Sequence, residues 1–178
     1  RARRTDENLR PIAHSRPAIS LSRCITKRPR PPFLRSAFLI ATEPLEIVES
    51  YLAIQQVRFA DRLRVKIDTT PEALEGMVPC FLLQPIIENA IRHGIAHVER
   101  DGLLETSVER DGDMLSLRVR DNGPGTKSIK VSGHGIGMRN TRERLSYFYA
   151  DRFAFSAVEP ECGGYEVTIR IPYERQRA

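Results

Sequence analysis

The sequence predicts an α+β domain in which helices lie on one face of a mixed β-sheet. Two observations carry this. Segments with apolar residues at helical spacing are interleaved with segments in which apolar and polar residues strictly alternate. Two of the alternating segments are joined through Asp111-Gly112, a hairpin signal, whereas other strands are separated from their neighbours by helices. At 178 residues, with 40% hydrophobic and 29% charged residues, the chain suits one soluble globular domain with some surplus.

The elements follow in order. Residues 1 to 40 hold five of the twelve prolines and no sustained hydrophobic period, so little stable structure is expected there. From Pro44 the residues Leu45, Val48, Tyr51, Leu52, Gln55 and Phe59 recur at helical spacing, with Glu43, Glu46 and Glu49 near the positive end of the helix dipole. Leu63, Val65 and Ile67 alternate with Arg64, Lys66 and Asp68 as a half-buried strand that Thr70-Pro71 closes, and a helical turn follows at 71–74. Leu82, Leu83, Ile86, Ile87, Ala90 and Ile91 fit a helix that begins near Pro85 and is expected to stop at Gly94. The hairpin strands run through Leu104, Thr106 and Val108 and through Leu115, Leu117 and Val119. Residues 122 to 137 contain five glycines and a proline, which predicts a long functional loop. A helix from Met138 to about Tyr149, a strand near 152–157 and a last strand at 166–171, ended by Pro172, complete the chain.

Charge and cysteine content narrow the function. The chain holds 28 Lys and Arg against 23 Asp and Glu, but ten of those bases and only two acids lie in residues 1 to 40. That segment carries +8 and the remaining 138 residues carry −3, so the basic character belongs to a tail and nucleic-acid binding is not expected. Cys24, Cys80 and Cys162 are an odd, widely spaced set that suggests neither a disulfide framework nor a zinc knuckle and fits a reducing cytoplasm. No run approaches the ~18 apolar residues of a membrane span, and no signal-peptide pattern opens the chain.

Three segments carry candidate chemistry. In Glu88-Asn89-Ala90-Ile91-Arg92-His93-Gly94, Asn89, Arg92 and His93 share one helix face, and an amide oxygen beside cationic groups suits magnesium and phosphate. Asp121-Asn122-Gly123-Pro124-Gly125 ends a strand in a glycine turn, where a carboxylate can accept from an exocyclic amine such as that of adenine. Gly133-His134-Gly135-Ile136-Gly137 leads into the N-terminus of a helix, an anion site. Taken singly, these segments read equally as a solvated helix face, a common turn and an ordinary glycine run; their order and spacing together single them out.

In that order they resemble the N, G1 and G2 boxes of the GHKL ATP-binding fold, shared by histidine kinases, gyrase-type topoisomerases, heat-shock chaperones and mismatch-repair ATPases. Tyr51-Leu52-Ala53-Ile54-Gln55, Arg58-Phe59-Ala60-Asp61-Arg62-Leu63 and Leu82-Leu83-Gln84-Pro85-Ile86-Ile87-Glu88-Asn89-Ala90 narrow the resemblance to LytS/YehU-type sensor histidine kinases. It implies a two-layer α/β sandwich of the Bergerat type with a mobile glycine-rich lid, with 44–60 as a linker helix from the dimerisation region and 61–173 as the catalytic domain. It further implies that the cofactors are ATP and Mg2+, that Asn89 binds the metal with Glu88 in support, and that Arg92 and His93 face the phosphates. Asp121 would read adenine, Gly123 and Gly125 would shape the base pocket, and Gly133, Gly135, Ile136, Gly137 and Met138 would belong to the lid, with Arg139 and Asn140 where it meets its helix.

The family's implied partners are a dimerisation segment carrying the phosphoacceptor histidine and a response regulator. The chain would then be cytoplasmic, able to form a homodimer, and joined to membrane only through segments missing before it. Two departures stand out. The family's closing strand often carries Gly-Thr, the threonine reaching adenine through water, whereas here Gly163-Gly164 precedes Tyr165. The family's Pro-His-Phe-Leu-Phe-Asn acceptor segment is also missing: Pro31-Pro32-Phe33-Leu34 lacks the histidine, and His14 lies in Ala13-His14-Ser15-Arg16. Residues 1 to 40 therefore read as replaced or out-of-frame sequence, and the activity implied is phosphoryl transfer to a histidine supplied by another segment or chain. The alternatives at this stage are a hydrolytic GHKL ATPase, a non-catalytic nucleotide-binding remnant and a serine kinase of the anti-sigma type. The hydrolytic reading is disfavoured by Pro85, which occupies the position of the water-activating glutamate in gyrase-like members.

Overall fold

The computed structural model describes residues 38–125 and 136–175. Expectations for residues 1 to 37, His14 and Pro31 to Leu34 included, and for the loop at 126–135 lie outside these residues. Within them run β1 (Phe38–Ile40), α1 (Thr42–Phe59), β2 (Leu63–Thr69), α2 (Pro71–Leu74), β3 (Met77–Pro79), α3 (Gln84–Asn89), β4 (Gly102–Asp111), β5 (Met114–Asp121), α4 (Ile136–Tyr149), β6 (Ala154–Val158) and β7 (Tyr165–Pro172).

Five strands make one mixed sheet in the order β2-β4-β5-β7-β6. β2 and β4 are parallel and every other neighbouring pair is antiparallel. Parallel pairing needs a crossover, and the α2, β3 and α3 segment supplies it. The hairpin register sets Asp111 opposite Met114, so the two-residue loop is Gly112-Asp113, one residue later than the sequence predicted. Only Gly112 of the two has a positive φ, +59°, as a type II′ turn requires at its first central position.

Alternation decides the layers. Leu104, Val108, Leu115, Leu117, Val119, Val167, Ile169 and Ile171 point to one face and are buried, while Lys66, Glu105, Arg118 and Glu166 emerge on the other, paired at 3.2 Å and 3.0 Å. Such exposed pairs contribute little, so burial of the inner face dominates. Leu45, Val48, Leu52, Gln55 and Phe59 of α1 are buried at the predicted spacing, as are Ile86 and Ile87 of α3 and Leu145 and Tyr149 of α4. The expected two-layer sandwich is the observed one.

The strands β1 and β3 were not legible in the sequence. Each is three residues long, too short to show a period, and they pair antiparallel as a separate two-stranded sheet. β1 therefore lies inside the segment 1–40 that was expected to carry little structure. Phe38 is buried edge-on against Phe148 and Tyr149, with ring centroids 4.7 Å and 6.2 Å apart, and so covers the end of α4.

Removing apolar volume from the inner sheet face should be costly. Leu117→Ala, at a position 1% exposed, is expected to destabilise the chain by about 2–5 kcal/mol in urea unfolding. Val57→Ala, at an 85% exposed position of α1, should change stability by less than about 0.5 kcal/mol.

Candidate functional site

The site forms where β5 runs out against the end of α3. Asp121 is the last residue of β5 and is 2% exposed. Its Oδ1 accepts the backbone N–H of Gly123 at 2.8 Å, so the chain turns back over the carboxylate immediately after the strand. The Tyr165 backbone N–H also donates to it, and Arg120 adds a favourable charge. Burial outweighs these effects and pushes the Asp121 pKa up from 3.8 to about 6.

Three glycines make this placement possible. A Cβ on Gly94 would lie 2.2 Å from Asp121 Oδ1, one on Gly123 would lie 2.4 Å from the Gly94 Cα, and one on Gly164 would lie 1.9 Å from the Asp121 carbonyl oxygen. Asn122 fixes the turn from the other side. Its Oδ1 accepts from the Leu103 N–H at 2.7 Å and its Nδ2 donates to the Asp101 carbonyl at 2.8 Å, so the turn is tied to the start of β4.

Gly94 is not the helix terminator that the sequence predicted. Helical backbone continues past α3 through a π turn at Ala90–Gly94 and a 3₁₀ turn at Ile95–His97. Gly94 has φ −94°, outside the left-handed region of a helix cap. Glycine is required there because the Asp121 carboxylate occupies the space of its side chain. The π turn shows in the Ile95 N–H, which donates to the Ala90 carbonyl five residues back, and such turns often mark functional segments.

On α3 and this turn, Asn89 and His93 are half-buried and Arg92 is exposed. Glu88 Oε1 accepts from Gln84 Nε2 at 2.8 Å, one helical turn earlier. Glu88 also faces α1: burial of the Tyr51 phenol, and then the Glu88 charge, raise its pKa, while Arg92 and Arg58 act in the opposite direction. Among the described residues no group of three His, Cys, Asp or Glu could cage a metal. The Asn89 amide oxygen is a hard donor of the kind magnesium accepts alongside phosphate and water ligands.

The third wall is the start of α4. Gly137 lies over α3, a Cβ there coming 3.9 Å from the Pro85 Cβ, and Thr141 Oγ1 donates to the Gly137 carbonyl at 2.9 Å. Met138 packs against the core, Arg139 approaches Glu143 at 3.8 Å, and Asn140 is exposed. Gly133 and Gly135 and the Ile136 side chain lie outside the described residues. Gly125, with φ +74°, closes the described part of the loop against Glu159. The structure thus brings Asp121, Gly94 and Gly123 into direct contact and sets α4 against α3. Sequence reasoning missed the packing role of Gly164 and the presence of Glu159, because neither belongs to a local motif. A shallow surface depression lined by Pro44, Ile47, Val48, Phe81, Leu83 and Gln84 lies elsewhere, between the starts of α1 and α3.

Residues 80–175 match the model of the histidine kinase-, DNA gyrase B- and HSP90-like ATPase family. The sensor histidine kinase BtsS of Escherichia coli is 34% identical over 139 residues, which cover 78% of this chain and 24% of BtsS. The sensor protein LytS of Staphylococcus haemolyticus is 31% identical over 139 residues, covering 72% and 24%. The chain thus spans about a quarter of the length of these curated relatives. The catalytic domain of histidine kinase ThkA superposes with a TM-score of 0.58 at 13% identity, covering 78% of this chain and 97% of that domain. The mycobacterial sensor histidine kinase MprB gives 0.52 at 16% identity, covering 74% and 95%. These likenesses establish the Bergerat fold.

Two outcomes test the packing around Asp121. Because the folded chain holds the Asp121 proton more tightly than the unfolded chain, this group favours folding below pH 3.8, and the contribution is lost as pH rises to about 6. The stability of Asp121→Asn relative to wild type should therefore rise between those pH values and level off above them, at roughly 2–3 kcal/mol in the variant's favour by chemical denaturation. Gly94→Ala should instead destabilise by about 1–3 kcal/mol, because neither the carboxylate nor the turn above it has room to move.

Proposed function

We propose, because the chain belongs to the histidine kinase-, DNA gyrase B- and HSP90-like ATPase family and is a GHKL-type domain related to the LytS, YesM and BtsS sensor kinases, that residues 61–173 bind ATP with magnesium and catalyse phosphoryl transfer to a histidine. The observation that supports this most directly is the buried Asp121 carboxylate at the end of β5, packed closely by Gly94, Gly123 and Gly164. A desolvated carboxylate acceptor suits the exocyclic amine of adenine.

The roles follow from placement. Asp121 would accept from the adenine amine while Gly123 and Gly125 let backbone approach the base. Asn89 would hold the magnesium ion, with Glu88 beside it, and the ion when bound would supply charge neutralisation for the phosphates. Arg92 and His93 would face the phosphate oxygens. Gly133 to Met138 would close over the triphosphate, the N-terminus of α4 providing unpaired N–H groups. The nucleophile in this reading is the acceptor histidine, so the contribution of these residues is positioning and electrostatic stabilisation.

In this reading α1 is the linker from a dimerisation region, and the acceptor histidine lies on a segment supplied with it or in trans. A response regulator would receive the phosphoryl group, and the kinase would act as a homodimer on the cytoplasmic side of a membrane. No helix among the described residues is long and apolar enough to cross one.

The test uses γ-labelled ATP, magnesium and a separately prepared dimerisation segment from a related kinase. Acid-labile, base-stable label on that segment is expected, and Asn89→Ala should lower its rate at least about hundredfold if magnesium positioning carries the reaction. Fast release of inorganic phosphate with no labelled histidine would favour a hydrolytic ATPase instead.

A further inference from the structure

The base site has a second wall on the side of Asp121 away from α3. The connection between β6 and β7 folds back over the end of β5. Gly163 and Gly164 take φ values of +86° and +84°, which side chains rarely adopt, and Gly164 presses on the Asp121 carbonyl. Arg120 Nη2 donates to Cys162 Sγ at 2.8 Å. Glu159 Oε2 lies 3.2 Å from the point where a side chain on Gly125 would begin. Three separate contacts hold this connection against the Asp121 turn.

The connection delivers Tyr165. In the β5–β7 register Tyr165 stands directly opposite Asp121. Directly opposed residues of an antiparallel pair share a face, with Cβ atoms roughly 4.5–5.5 Å apart. Tyr165 is half-exposed and packs partly against the core beside the buried carboxylate. A tyrosine phenol is neutral near pH 7 and can donate a hydrogen bond, and burial with the charges of Glu159 and Asp121 shifts its pKa further upward.

Resting on the ATP-binding reading above, we propose that the Tyr165 hydroxyl reads the base directly as a donor beside the Asp121 acceptor, and that this pair selects adenine over guanine. Adenine presents its N6 amine, a donor, next to N1, an acceptor. Guanine presents O6, an acceptor, next to an N1–H donor. The Asp121–Tyr165 pair matches the first pattern at both positions and opposes the second at both, which leaves desolvated groups unpaired or repelled. Glu159 has a positioning role, holding the β6–β7 connection against Gly125. The family's closing strand often has threonine and a water molecule here; the longer tyrosine reaches the ring without the water.

The experiment measures magnesium-nucleotide affinity by calorimetry on the whole chain, wild type and Tyr165→Phe, with ATP, GTP and 1-deaza-ATP, in which C–H replaces N1. Wild type is expected to bind ATP about tenfold more tightly than 1-deaza-ATP and to discriminate against GTP more strongly still. Tyr165→Phe should lose about tenfold on ATP and nothing on 1-deaza-ATP, because both changes remove the same hydrogen bond. An unchanged affinity of Tyr165→Phe for ATP, or an equal loss on both nucleotides, would overturn the proposal while leaving ATP binding intact. Failure of wild type to bind any of the three would remove the ATP-binding reading itself.

Discussion

A carboxylate buried at the end of a strand, with backbone packed so close to it that no side chain fits at three surrounding positions, is the constraint on which the rest of the site depends. Asp121 meets Gly94 from the helical layer, Gly123 from its own turn and Gly164 from the neighbouring connection. Each contact ties a different part of the chain to one side chain. Helix α3 and its π turn are thereby set against the end of β5, and Asn89, Arg92 and His93 lie on the same helical run that carries Gly94. Moving the carboxylate would move all of these together, because a close-packed contact transmits displacement rather than absorbing it.

Where periodicity could speak, the sequence was legible. The α1 stripe from Leu45 to Phe59, the alternation in β2, β4 and β5, and the α4 helix all stand where spacing put them, because each element is long enough to show its period and buries one face. What escaped was non-local. β1 and β3 are defined by long-range pairing, with each other and, for β3, with the segment after β7. Gly94 looked like a terminator because a glycine after a helical run usually is one, and only the position of Asp121, twenty-seven residues later, explains it. Tyr165 was legible as a departure from the family's Gly-Thr, but its apposition to Asp121 required the strand register. Glu159 carried no local signal at all.

Helix α1 joins the fold to the site by a different route. Its buried stripe packs on the sheet, yet Ile54 and Val57 remain 67% and 85% exposed on its other side, which accounts for apolar residues distributed around much of its circumference. Between these faces lies Tyr51, whose phenol senses Glu88 and Arg92 on the far helix and Arg58 on its own. The charged groups next to Asn89 are thus electrostatically linked to α1, and a shift of that helix would alter the surroundings of Asn89.

The same burial that raises the Asp121 pKa explains why the arrangement favours a particular kind of ligand. In water a carboxylate is satisfied by solvent and gains little from one more donor. At 2% exposure it has given up that solvation, and the two backbone N–H groups and Arg120 recover only part of it, since the pKa remains at about 6. The unrecovered part is what an incoming amine donor can relieve, and a neutral acceptor such as a carbonyl oxygen cannot. The cost is borne by the inner sheet face, whose buried Leu, Val and Ile side chains stabilise the fold in surplus over this local penalty. A strand of strong β-formers that ends in a destabilised acid is therefore coherent: the first half of β5 supplies the stability that its last residue gives up, and the proposed preference for an amine donor rests on that loss.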